Sequence, residues 1–119
     1  MFKKPFSNYL DRGKDMNKEQ MYEKIKNICR DLDRLEVARN RDLYKSLSRQ
    51  DLDKRINELE IEIIPKIEQL KNTFEAERCS YESTDQRTVE EQFTYMLRSA
   101  HSTIVAIDLV KCQKSRNNE

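Results

Sequence analysis

His101 is the sole histidine among 119 residues, so any acid–base step that needs an imidazole would have to use it alone. It lies three residues after Arg98 and seven before Asp108. On a helix the nearest orienting carboxylate on that side would sit about two turns away, which does not assemble an acid–base pair. His101 is therefore expected at the surface or boundary of a helix. Glu58 and Glu62 are one helical turn apart and would need a third ligand from elsewhere to hold a cation. With no Glu-x-x-His pair present, they read as part of a solvated face, and neither a metal nor another cofactor is expected.

The three cysteines, Cys29, Cys79 and Cys112, are odd in number, far apart and never in a Cys-x-x-Cys pair. That argues against a disulfide framework and a zinc site, and for reduced thiols in the cytoplasm. Cys29 and Cys112 fall mid or late in expected helices and read as small packing residues. Cys79, in a connection, is the thiol expected to be most open to reaction. No enzymatic activity is expected from this inventory.

Charge offers more. Lys plus Arg number 23 and Asp plus Glu 22, so the chain as a whole attracts neither nucleic acid nor an anionic surface. The distribution is uneven, with a basic surplus over residues 1–49 and an acidic one over 50–78. Arg34, Arg41 and Lys45, at spacings of 7 and 4, share a face if the helix through them is continuous. They can meet phosphates or an acidic partner. Alternatively they pair with Asp51, Asp53, Glu58, Glu60 and Glu62 on the following helix, the preferred reading because the two segments carry opposite net charge, and no nucleic-acid-binding signature accompanies the basic residues. Near the start, Phe2, Phe6, Tyr9 and Leu10 are interleaved with Lys3, Lys4, Arg12 and Lys14. Such a segment can anchor in a partner's groove or fold back on the end of the body, and both uses stay open.

The elements that carry these residues follow from composition and periodicity. Charged residues make up 38% and apolar ones 36%, with one Gly and two Pro. So few turn formers exclude many-stranded sheets and glycine-rich phosphate loops. The longest apolar run, Ile104 to Ile107, is far short of the roughly 18 residues that would cross a bilayer, so no membrane partner is expected.

Residues 1–16 are expected to form a mobile basic and aromatic arm. Asn17 and Gln20 then form a capping box, and Met21, Ile25, Ile28, Leu32 and Leu35 make a narrow helical stripe. The stripe lapses near residue 36, and Leu43, Tyr44 and Leu47 continue it in another phase, giving a first helix expected over 17–46. Ser48 is placed to cap a second helix over 49–77. Its seam, Leu52, Ile56, Leu59, Ile63, Ile67, Leu70 and Phe74, passes through Pro65, where a kink is expected; the alternative is that Pro65 is the first residue of a separate helix, where its missing N–H is harmless. Residues 78–87 read as a connection. Thr88 to Glu91 reads as a capping box opening a third helix over 89–114, with Val89, Phe93, Met96, Ala100, Ile104 and Ile107 inward and residues 115–119 frayed. Leu97, Val105, Leu109 and Val110 widen that inward face, and the apolar surface around Ile104, Val105 and Val110 leaves something for a second copy to bury.

Three rods of similar length with short connections predict an all-α antiparallel three-helix bundle over 17–114. The alternative is a helical hairpin completed by dimerisation. The function expected is a non-enzymatic protein–protein interaction module, an adaptor, regulator or inhibitor docking on a larger protein. A nucleic-acid-associated factor using the basic face of the first helix is the alternative, and a homodimer is compatible with either.

Overall fold

The computed structural model describes residues 17–117, and every regular element among them is helical. The arm expected over residues 1–16, with Phe2, Phe6, Tyr9 and Leu10, lies outside the described residues.

Helix α1 spans Lys18–Leu35. Its first turn is closed reciprocally. The Asn17 side chain accepts from the Gln20 amide at 2.8 Å, and the Gln20 side chain accepts from the Asn17 amide at 3.1 Å. The expected helix over 17–46 is not continuous. Glu36 turns extended (φ −67°, ψ 127°), a 3₁₀ turn covers Ala38–Asn40, and a short α2 spans Arg41–Ser46.

Side chains from beyond the break take up the carbonyls that α1 leaves open. The Asn40 amide nitrogen faces the carbonyls of Asp33 (3.2 Å), Arg34 (3.3 Å) and Glu36 (2.7 Å). The Tyr44 hydroxyl donates to the Leu35 carbonyl. An apolar stripe that ends at Leu35 gives the chain no reason to continue helical, and Asn40 and Tyr44 make stopping there inexpensive.

Helix α3, Arg49–Asn57, starts on Ser48, whose hydroxyl accepts from the Asp51 amide at 3.1 Å. It runs directly into a π-helical segment, Glu58–Ile63, and then α4, Ile64–Ala76. The distortion expected at Pro65 takes the form of this widened turn, in which the Ile64 amide donates five residues back to Leu59. A wider turn makes room for the proline ring, and Pro65 then sits in the first turn of α4, where its missing N–H is harmless.

A 3₁₀ turn at Arg78–Ser80 leads to the longest element, α5, Ser83–Asn117. It starts well before residue 89. Thr88 is therefore interior, and its hydroxyl donates to the Thr84 carbonyl at 2.9 Å instead of capping a helix. The local polar residues read as a connection find partners within the helix start: the Gln86 side chain donates to the Tyr81 carbonyl at 2.9 Å. Asp85, in the first turn, suits the positive helix end and meets Lys18 at 3.5 Å and the Tyr22 hydroxyl at 3.2 Å. Residues 115–117, expected to fray, continue α5.

Cross-element contacts follow an order. Tyr22 meets Asp85 and the Lys45 carbonyl accepts from Lys114 at 2.7 Å, so residues 18–46 advance along α5 in step with it. Asp53 meets Lys111 at 2.5 Å and Arg78 meets Glu90, the reverse order. The resulting body is elongated, 66 × 29 × 19 Å.

One apolar core runs along it. Met21, Ile25, Ile28, Leu32 and Leu35 of α1 meet Leu52, Leu59, Ile63, Ile67, Leu70 and Phe74, with Val89, Phe93, Met96, Ala100 and Ile107 of α5 completing it. Two expected members are displaced. Ile56 is half-buried, and Thr103, 4% exposed, takes the place expected for Ile104, which packs at the edge. Near the α4–α5 connection Phe74 packs edge-on against Tyr81 (centroids 5.2 Å) and against Phe93 (6.0 Å). Arg78 lies 5.7 Å over the Phe74 ring.

Candidate functional site

His101 lies on the exposed side of α5 and makes no hydrogen bond or ion pair with a described residue. Asp108 is not brought to it. Glu58 is drawn into an ion pair with Arg34 at 2.5 Å, which removes it from any pairing with Glu62. No cluster of three His, Cys, Asp or Glu side chains suited to a metal occurs among the described residues. Cys29 is half-buried against the core, and burial, then the nearby Asp33 carboxylate, pushes its thiol pKa up. Cys79 is exposed. So is Cys112, expected to pack.

The three basic residues proposed as one face are separated by the break after Leu35. Arg34 sits on the last turn of α1, paired with Glu58 and, at 3.6 Å, with Asp31. The hydrogen bond to Glu58 raises its pKa above the usual arginine value. Arg41 and Lys45 stay one turn apart on α2, both exposed, with no carboxylate bonded to either among the described residues. The spacing of 7 from Arg34 to Arg41 counts as helical only if residues 36–40 are helical in one phase, and they are not.

A groove of about 500 Å³ lies between α1 and α4. Lys24, Asp31, Lys66 and Gln69 line it together with Ile28 and Leu70. It brings together neither a nucleophile nor an acid–base pair.

The most unusual surface is one that sequence reasoning merged with the inward face of the third helix instead of setting it apart. The outer side of α5 carries Glu91, Tyr95, Arg98, Ser102, Val105, Leu109, Cys112 and Arg116, every one exposed, at spacings of 4, 3, 4, 3, 4, 3 and 4. This is the heptad spacing of a helix-packing seam, on the opposite side from the core row of Val89, Phe93, Met96, Ala100, Thr103 and Ile107. Val105 is 60% exposed, Leu109 59% and Tyr95 50%. Residues 92–107 contain no carboxylate at all, although charged residues make up 38% of the chain. That gap was the available signal. Val105 and Leu109 mask it, because in projection they widen the inward face.

No family model, curated protein or solved structure matches this chain. No helix among the described residues is long and apolar enough to cross a membrane.

Proposed function

We propose that this chain is a non-enzymatic protein–protein interaction module, a small helical adaptor, regulator or inhibitor that docks on a larger protein. In this reading its body is an up-down-up three-helix bundle, with residues 18–46 and α5 running one way and the rod of α3 and α4 the other. The observation that carries the proposal is the outer row of α5. A helix whose inner row already fills a core has no structural need for exposed Tyr95, Val105 and Leu109 on its far side, and such a strip reads as a surface used by something else. The three unbonded cysteines suit a reducing, cytoplasmic setting.

The aromatic arm and the pair Arg41 and Lys45 are the other places where a partner can attach. A nucleic-acid role stands second: Arg41 and Lys45 would contact phosphates, but Arg34 already meets a carboxylate.

Affinity capture tests the proposal using the full chain, the chain lacking residues 1–16, and the double variant Val105→Glu, Leu109→Glu. Specific partners lost with the double variant support it. A partner set identical for all three, or one dominated by nucleic acid, contradicts it.

A further inference from the structure

We infer that the outer row of α5 is a self-association seam that pairs antiparallel with the same row of a second copy of this chain. The inference rests on reading that row as an interaction surface and commits to its occupant.

Periodicity gives the first reason. Eight exposed positions at alternating steps of 4 and 3, from Glu91 to Arg116, cover 25 residue steps, or about 38 Å of helix. That is the pattern by which one helix meets another of equal length, each side chain set between those of the facing helix. A compact pocket or a flat partner surface would not require the repeat.

Charge gives the second reason and fixes direction. The row has Glu91 at one end, Arg116 at the other and Arg98 between them. Parallel pairing would set Glu91 against Glu91, Arg98 against Arg98 and Arg116 against Arg116, three like-charge contacts. Antiparallel pairing about the midpoint between Ser102 and Val105 sets Glu91 against the second copy's arginine at 116, twice by symmetry. It also sets Tyr95 against Cys112, the Arg98 stem against Leu109, and small Ser102 against Val105. Large side chains face small or flexible ones throughout, as close helix packing needs.

The seam leaves the fold undisturbed. None of its side chains belongs to the core, so removing the apolar ones tests association separately from folding.

Sedimentation equilibrium of the full chain should show a concentration-dependent dimer. Val105→Glu with Leu109→Arg should weaken it by at least about tenfold, from lost apolar burial and from like charge, because position 109 faces Arg98 of the second copy and the two 105 positions lie near each other across the axis; helical content, and melting at concentrations where the unaltered chain is monomeric, should stay unchanged. Direction is read by thiol crosslinking with a short bifunctional maleimide in a Cys29→Ala, Cys79→Ser background. With Cys112 alone little dimer should be trapped, because the two thiols lie 17 positions apart across the axis, about 25 Å. Adding Tyr95→Cys should trap it efficiently. A chain that stays monomeric at high concentration overturns the self-pairing, and so does a dimer indifferent to the Val105 and Leu109 changes. Efficient trapping through Cys112 alone overturns the antiparallel direction. If the chain is monomeric yet its captured partners still depend on Val105 and Leu109, the self-pairing fails while the interaction-module reading stands.

Discussion

The Tyr44 hydroxyl donates to the main-chain carbonyl of Leu35, nine residues earlier, and in doing so joins the start of one short helix to the end of a long one. The same hydroxyl accepts from Arg55 at 3.4 Å, and that guanidinium lies 5.1 Å over the ring, so α3 is held at the same point. Tyr44 is 1% exposed. Tyr44→Phe keeps the ring but leaves a helix-end carbonyl without its donor, and should cost about 1 to 3 kcal/mol in chemical denaturation. An unchanged midpoint would show that water serves the Leu35 carbonyl equally well.

Core positions divide by burial. Leu59→Ala and Phe93→Ala remove side chains that are 0% and 2% exposed and should each cost roughly 2 to 5 kcal/mol. Ile56→Ala, at a half-buried position, should cost clearly less than either. Equal losses at all three in urea unfolding would mean that the second rod is rotated from the orientation described.

Arg34 separates the two readings of the basic residues. Its pair with Glu58 is half exposed, so Arg34→Gln should lower stability by no more than about 1 kcal/mol. Changing Arg34, Arg41 and Lys45 together to Gln should leave folding intact and alter no nucleic-acid binding. Tight binding of a duplex or single strand at physiological salt, removed by the triple change, would promote the nucleic-acid role.

Alkaline pH should loosen the end where α1 meets the start of α5. Tyr22 is raised above its ordinary 10.0 by burial and by Asp85, and Tyr81 by burial and by the Glu77 carboxylate. Both phenols are easier to ionise in the unfolded chain. Their stabilisation is therefore complete below the unfolded value near 10 and is lost as pH rises through the higher folded values. Melting followed from pH 8 to 11 should show this fall, and Tyr22→Phe should reduce it. A flat profile would contradict the burial of these hydroxyls.

Local signals were the most legible in the sequence. The Asn17–Gln20 box and the Ser48 cap each pair a side chain with a backbone amide three residues on, a relationship carried by four consecutive residues. The second seam even marks its irregular turn. Leu59, Ile63 and Ile67 are separated by two successive steps of 4, and the π-helical segment lies there. Tertiary partners decided what went unread. Nothing near Leu35 announces that Asn40 and Tyr44 will close α1, and Thr88 looks like a cap until Ser83 to Arg87 prove helical on account of Asp85 meeting α1. The outer row of α5 was hidden for a different reason. Apolar residues on two opposite faces of one helix look, in projection, like one broad face.

The most direct test of the account is the alkylation rate of Cys112 relative to Cys79, both exposed in the single chain and only the first on the outer row of α5. It should be measured in dilute purified protein, in concentrated purified protein and in cell extract. Cys112 should slow several-fold against Cys79 when a second copy or a partner covers the row. A ratio of rates that stays constant across all three conditions would contradict it.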